Sequence, residues 1–489
     1  MSAAVYRHPA LRRWPIFPSD AKPLALWSAR TIADATGGIA SEDFEVSGVD
    51  TDSRDIRHGD LFVALKGDAM DGHAFVDKAF ANGATAAIVD RPVPHPHVLV
   101  SDTTAALNAL AETARLRADA TFVGVTGSVG KTGVKEAIFA ALERSSRGRT
   151  HRSIRSYNNH VGVPLSLARM PSRSRYGVFE MGMNHAGEIA ALTARVRPHV
   201  AVVTTIAPAH IENLGSIEAI ADAKSEIFQG LVKGGTAVIP ADSEHFDRLR
   251  DHAARQGVEI VSFGRSAGAT VRLLDAIPSA NGGSLVTCEF PEGRMCYTVA
   301  EPGEHWIDNS LAVMAAVRAC RADMAAAGLA LSEMGGLKGR GARHRIEAIG
   351  GKAQLIDESY NANPASMRAT LAQLGSTPAM RRIAVLGSMK ELGDFGARFH
   401  AQIAEPLADA NVDHVVLVGD EMAVLARELG KGATSGLGFG GSFTQCEDVG
   451  GAIAALEEYG VVSGDVILVK GSNSVGLSRL VDHYTHRNG

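Results

Sequence analysis

Between Thr121 and Thr132 the chain reads TFVGVTGSVGKT, and a helix-forming stretch begins at Lys131. An apolar strand that stops at a glycine-rich turn and resumes as a helix commits this region to an α/β unit. The turn's backbone N–H groups and the helix N-terminus then form an anion cradle. Lys131 is placed to neutralise the β/γ phosphates of a nucleotide, and the Thr132 hydroxyl can ligate Mg²⁺. Gly127, Ser128, Val129, Gly130, Lys131 and Thr132 form the expected phosphate-binding loop. The spacing departs from GxxxxGK[ST], because Val125 occupies the first glycine position. The bland alternative is a turn that merely links strand to helix.

The rest of the chain repeats this alternation. A small α/β unit is expected from Ala25 to about Val100, with strands at Leu61–Leu65 and Ala86–Val89 around a helix near Ala74–Asn82; a further helix, Ala105–Ala118, leads on. Strands follow at Gly177–Glu180, Val200–Thr205 and Thr236–Pro240, which indicates a parallel sheet covered by helices. Ser284–Val299, folded around a PEG turn, predicts an antiparallel hairpin at its edge. A helix over Asp308–Ala327 precedes glycine-rich GGLKGRGARHR, read as a hinge. Strands at Ala353–Ile356, Arg382–Leu386, His414–Val418 and Asp465–Val469 complete a third α/β region. The first twenty or so residues show little pattern.

Composition bounds the function. The 489 residues carry 49 Lys+Arg against 54 Asp+Glu, a formal net charge of −5, which argues against non-specific nucleic-acid binding. No apolar run reaches the roughly 18–20 residues of a membrane span. Arg and Pro stand where a signal peptide would place its apolar core. The four cysteines show no CxxC pairing, so neither a disulfide framework nor a zinc motif is expected in what reads as a cytoplasmic protein.

A nucleotide with Mg²⁺ needs further oxygen ligands. Glu180 closes the strand YGVFE at its carboxyl end, where α/β ligands bind, although such a residue is often only a solvated terminus. His210 lies just past another strand, in TTIAPAH, and faces the same mouth by the same logic. Lys224 falls on the apolar stripe formed by Ile217, Ile220, Ala221, Ile227, Phe228 and Leu231. It either snorkels outward, which residue physics alone favours, or is modified by CO₂ to a metal-binding carbamate.

An ordered set of motifs adds to this: TGSVGKT, YNNHVGVP, FEMGMNHAGEI, APAHIENLGSIEAIADAKSEIF, GEHWIDNSLA, DESYNANPASM, LGSMKELGDFGARFH and VKGS. Together they resemble the Mur ligases of peptidoglycan synthesis, over a span from about Leu26 to the C-terminus. The resemblance implies three domains: residues 1–102 for a UDP-sugar, 103–333 as a P-loop ATPase-type parallel sheet, and 334–489 as a Rossmann-like domain for the incoming amine. It implies an ATP-dependent amide ligation, through an acyl phosphate, of D-alanyl-D-alanine to UDP-MurNAc-tripeptide. By the same resemblance Lys131, Lys224, His210 and Arg340 are catalytic. Thr132, Glu180, His210 and a carbamylated Lys224 hold Mg²⁺. Asn309 contacts adenine, Asp357 ribose and Arg340 the γ-phosphate. Ser53 and Arg54, in DSR, belong to the UDP-sugar site; Tyr360, Asn361 and Asn363 lie near the dipeptide. Asn158 and Asn159 lie near the tripeptide or phosphates, or serve as turn residues. Two positions depart from the family pattern: Ser388 stands for Asp in LGDMxELG, and Glu358 for the second Asp of DDSYNAN. A sister ligase adding the third amino acid would carry a DNPR-type motif where YNANP stands, and a folate polyglutamate ligase would lack DSR. A monomer is expected.

Overall fold

A computed structural model describes residues 25–67, 70–279, 282–431 and 439–486; the extension read over the first twenty residues lies outside these. Two compact units are present, up to Leu110 and from Ala111 onward.

The first unit is built on a five-stranded sheet in the order 39–40, 97–99, 86–89, 60–63, 48–50. All neighbours are parallel except the first pair. The expected helix begins as a 3₁₀ turn, Gly72–Phe75, and continues as Val76–Ala81. Asp71 starts the turn by accepting from the His73 N–H at 3.0 Å. Val76 and Ala79 face the sheet and pack with Phe62, Ala87 and Val89.

The second unit holds two sheets. The first has nine strands, with Thr121–Thr126 between Val200–Val203 and Tyr176–Glu180. These central strands are buried along nearly their whole length and so read as unbroken apolar runs. Phe122 and Phe179 on adjacent strands stack with centroids 5.8 Å apart, both fully buried. Removing either ring would cost about 3–5 kcal/mol. The hairpin forms as expected, Ser284–Phe290 against Gly293–Val299. Two strands with no counterpart in the sequence-based expectation, Glu259–Gly264 and Val271–Pro278, join it to the parallel body.

The second sheet has six strands in the order 342–348, 351–358, 466–470, 382–387, 414–418, 442–446. All but the first pair are parallel. The expected hinge is therefore only half a linker. Leu337 and Arg340 close a tight turn on each other, and from Ala342 the chain is an edge strand. The single helix expected over Asp308–Ala327 is two, Glu304–Ala319 and Met324–Glu333. Arg321 turns left-handed (φ 51°), and Asp323 accepts from the Ala325 and Ala326 N–H groups to start the second. No helix among the described residues is long and apolar enough to cross a membrane.

Replacing Asp323 with Ala removes that cap and should destabilise the protein by about 1 kcal/mol. Urea denaturation would show this as a lower midpoint with an unchanged slope.

Candidate active site

The turn Gly127–Gly130 joins the strand Thr121–Thr126 to the helix Lys131–Ser146. Its shape is fixed from the neighbouring strand's exit. The Ser128 hydroxyl donates to the Ala207 carbonyl (2.8 Å) and accepts from its N–H (2.9 Å), and Thr204 Oγ1 donates to the Val129 carbonyl at 2.5 Å. Gly130 has φ +85°, and a Cβ there would stand 2.6 Å from Asn309 Oδ1. Glycine is required twice over at this position, by conformation and by space.

Lys131 Nζ folds back to donate to the Gly127 carbonyl at 2.7 Å. Burial pulls its pKa down and Arg340 adds to this, while Glu180 opposes. Thr132 Oγ1 donates to Glu180 Oε2 at 2.9 Å, and Asn158 Nδ2 donates to Glu180 Oε1 at 2.8 Å. Glu180, at the end of its strand and 1% exposed, is thus held by both oxygens. Ser156 Oγ is 3.4 Å from Thr132 Oγ1 and accepts from Arg340 Nη2 at 3.1 Å. Thr132, Glu180 and Ser156 form an oxygen set suited to a hard divalent cation that keeps water and phosphate oxygens in its shell. No group of three His, Cys, Asp or Glu among the described residues makes a self-sufficient metal site. A cation held here would take part of its shell from phosphate oxygens, as Mg²⁺ does when it accompanies a nucleotide.

A cavity of about 350 Å³ opens over this floor. Lys131, Glu180, His210, Asn309 and Arg340 reach its wall, as do Ser128, Val129 and Gly130; Asn158, Asn159, Tyr360, Asn361 and Asn363 line it as well. Several of these have local duties. The Asn159 side-chain oxygen accepts from the N–H groups of Val161 and Gly162, the turn role of the two left open by the sequence. Asn363 caps the helix Pro364–Ser376 in a reciprocal pair with Ser366. The Arg340 guanidinium lies 4.2 Å over the Tyr360 ring.

Four expected residues are absent from the wall; Thr132 belongs to the floor, bonded to Glu180. Gly127 is packed against Thr204. Asp357 is buried, its Oδ2 accepting from the Gly339 N–H (2.7 Å) and its Oδ1 from Ser359; it staples the Leu337–Gly341 loop to the sheet. Lys224 is 1% exposed, so the snorkelling reading fails. Burial, with Lys131 nearby, sets its pKa well below the ordinary value. The helix Ile217–Ser225 presents it to the interior because it shares a face with Ile220 and Ala221. In the first unit, Arg54 forks onto Asp52 (2.6 and 2.9 Å), and the Ser53 carbonyl accepts from Asn82.

His210 Nδ1 stands 2.5 Å from Glu391 Oε2, off the N–H direction, as a close polar contact rather than an aligned hydrogen bond. Both residues are left-handed, φ 61° and 64°, a conformation that costs of order 1 kcal/mol each and gathers at working sites. His210 holds the Glu391 carboxyl below the usual range.

Models of three Mur ligase regions match the chain: a family catalytic domain over residues 45–117, the middle domain over 125–317, and the glutamate ligase domain over 344–473. The UDP-N-acetylmuramoyl-tripeptide–D-alanyl-D-alanine ligase of Escherichia coli K12 is 34% identical over 451 residues, covering 91% of this chain and 95% of its own. The chain belongs to the Mur ligase family. A crystal structure of MurF from Acinetobacter baumannii superposes with a TM-score of 0.78 at 29% identity, over 94% of this chain and 99% of that one. MurF ligase from Thermotoga maritima, solved with ADP, gives 0.72 at 25% identity, over 90% and 97%.

This Mur ligase carries site residues that the sequence reading passed over. Lys135, one turn beyond Lys131, is fully buried and donates to the carbonyls of Ser153 (3.0 Å) and Arg155 (2.7 Å), with Glu136 at 2.8 Å. It fixes the segment that carries Ser156. Its signal was a lysine on a helix's apolar stripe, beside Val134 and Ile138. Glu391 and Ser156 had no such signal. Ser388, one of the two departures read from the sequence, donates to Glu421 Oε2 at 2.7 Å. Against the upward pull of burial, Lys390 and Ser388 hold Glu421 at about 2, so a carboxylate still stands at this corner.

Glu301 is a carboxyl near the site displaced upward. Burial, with Glu358 adding to it and Arg343 opposing, pushes it from 4.5 to about 7. Folding therefore favours its protonated form. That contribution is complete below about pH 4.5 and is lost as the pH rises through about 7, an effect of about 3 kcal/mol at most. Glu301→Gln should flatten the fall in melting temperature between pH 5 and pH 8. An equal fall in the variant would show that Glu301 is not the source.

Proposed function

We propose that this Mur ligase joins D-alanyl-D-alanine to UDP-MurNAc-tripeptide with ATP, giving the pentapeptide precursor, ADP and phosphate. The observation that carries the reading is the convergence of Lys131, Arg340 and the loop residues Ser128, Val129 and Gly130 on one cavity, in a chain that matches a ligase of that name over 91% of its length. A triphosphate and a carboxylate repel, so a site that transfers phosphate between them must be dominated by cations. The γ-phosphoryl group moves to the tripeptide's terminal carboxylate, the dipeptide amine attacks the resulting acyl phosphate, and phosphate leaves.

In this reading Gly127–Thr132 cradle the phosphates, Asn309 meets the adenine, and Arg340 reaches the γ-phosphate. Asp357 meets the ribose by giving up one of its loop contacts. Thr132 and Glu180 hold Mg²⁺, whose charge offsets that of the phosphate oxygens; His210 and Lys224 serve a second ion. Asn158 and Asn159 face the tripeptide side, and Tyr360, Asn361 and Asn363 the dipeptide. Ser53 and Arg54 hold the UDP-sugar. The domains run over 1–102, 103–333 and 334–489, and the enzyme works in the cytoplasm as a monomer. Lys224 enters as a carbamate: its neutral amine adds CO₂, forming an N–C bond and releasing one proton. Depressed basicity and burial beside Lys131 support this.

Phosphate release from ATP and Mg²⁺ should require both UDP-MurNAc-tripeptide and D-alanyl-D-alanine, with the pentapeptide detected by mass spectrometry. Binding of ATP without release, for tripeptides carrying either diaminopimelate or lysine, would overturn the reading. Lys224→Ala should lower kcat by about 10²–10³-fold, the scale of losing one electrostatic contributor. Activity lost in CO₂-free buffer should return with bicarbonate; indifference to bicarbonate would remove the carbamate from the scheme.

A further inference from the structure

The strands of the six-stranded sheet change direction of travel beside the cavity. From Gly351–Glu358 the chain passes over one position to Arg382–Gly387 and continues outward through His414–Val418 and Ser442–Cys446. It then returns to fill the gap with Val466–Lys470. Ligands of open parallel sheets bind outside the carboxyl ends at such a reversal. Two ionic side chains stand there. Glu358 ends the first strand and Lys470 the returning one, and the two are direct register partners.

Lys470 is 2% exposed, and its Nζ donates to Glu358 Oε2 at 3.3 Å and to the Asn361 carbonyl at 3.1 Å. Both residues line the cavity. Among the described residues no donor reaches Glu358 Oε1, which lies 3.6 Å from where a Cβ on Gly341 would stand; Gly341, at φ +92°, keeps that side clear. A buried ion pair retained only for stability gains little over an apolar pair, so half-used hydrogen-bonding capacity on a cavity wall needs another account.

Building on the ligation described above, the geometry points to Glu358 as the group that receives the incoming amine and takes its proton, with Lys470 as the residue that positions it. An α-amino group titrates at about 8, so at pH 7 about nine-tenths of the dipeptide arrives as an ammonium without a lone pair. One ammonium proton passes to Glu358 Oε1, and the freed lone pair forms the C–N bond at the acyl carbon. The C–O bond to phosphate then breaks, a second N–H proton leaves with the phosphate as HPO₄²⁻, and the third stays on the amide. Glu358 gives its proton to water before the next turnover.

The charged groups facing this pair are few. Lys470 and Glu301 flank Glu358, Arg343 faces Glu301, and Arg340 and His305 face Lys470. Glu358→Gln keeps an oxygen for Lys470 and removes the proton acceptor.

The test compares two nucleophiles. Hydroxylamine, uncharged at neutral pH, traps an acyl phosphate as a hydroxamate without needing a base. With ATP, Mg²⁺ and UDP-MurNAc-tripeptide, Glu358→Gln should lose at least about 100-fold more in dipeptide ligation at pH 7 than in hydroxamate formation. Its ligation rate should climb about tenfold from pH 6 to pH 7 as free amine accumulates, while the wild-type rate climbs less. Glu358→Asp should recover most of the ligation, and Lys470→Met should show the selective loss with a smaller pH slope. Equal losses with both nucleophiles, or a Gln variant within a few-fold of wild type in ligation, would overturn the assignment. Absence of hydroxamate from the wild-type enzyme would instead overturn the ligase reading beneath it.

Discussion

The site depends on holding cations close together out of water. Lys131, Lys224, Lys470 and Arg340 surround one region of the second unit; Lys224 and Lys470 are buried and Lys131 is half-buried. Each loses basicity through burial, and for Lys131 and Lys470 the neighbouring Arg340 adds to the loss. Such an arrangement is unfavourable in isolation and is tolerated where anionic ligands complete it. The surrounding structure is organised to hold it. Glu180 and Glu358 counter Lys131 and Lys470, and backbone carbonyls receive Lys131, Lys135 and Lys470.

This electrostatic demand explains which parts of the molecule were legible in the sequence. The phosphate loop was, because its glycines and Lys131–Thr132 encode a local shape whatever the partners. The parallel strands were, since burial on both faces makes them continuous apolar runs. Lys224 was singled out by its place on an apolar stripe, yet the snorkelling that residue physics alone favoured does not occur. A lysine reaches water only if its helix runs near the surface, and helix position is a tertiary fact. Lys135 carried the same stripe signal, while Lys470 ended an apolar strand in a motif already quoted. Neither announced its partner, because Ser153, Arg155 and Glu358 are distant in sequence and brought near by the sheets.

The glycine-rich segment and the divided helix have local causes with tertiary consequences. Glycine-rich GGLKGRG looked like a free linker, but Asp357 receives the Gly339 N–H and the Gly341 N–H bonds the Asp357 carbonyl. Those contacts turn the segment into a fixed support that aims Arg340 at Ser156 and Tyr360. Asp357 thereby has a structural duty that the resemblance did not reveal. In the long helix, apolar periodicity ran on past Ala319, while the break was encoded in one residue, Asp323, whose carboxylate prefers a cap to a helix interior.

The strained pair His210 and Glu391 ties these threads together. His210 follows the strand Val200–Val203 of the nine-stranded sheet, and Glu391 follows Arg382–Gly387 of the six-stranded one. Their contact is reinforced by the Glu212 N–H bonding the Glu391 carbonyl at 3.5 Å, and a Cβ on Gly393 would press on Glu212 at 3.0 Å. Two left-handed residues meeting across two sheets are not required by either sheet alone; their conformational cost must be offset by what the contact arranges. What it arranges is the approach of the phosphate-binding floor to the wall that carries Glu358, Lys470 and Tyr360. A ligation in which one sheet activates a carboxylate and the other presents an amine needs that approach, because the acyl phosphate must meet its nucleophile before water does.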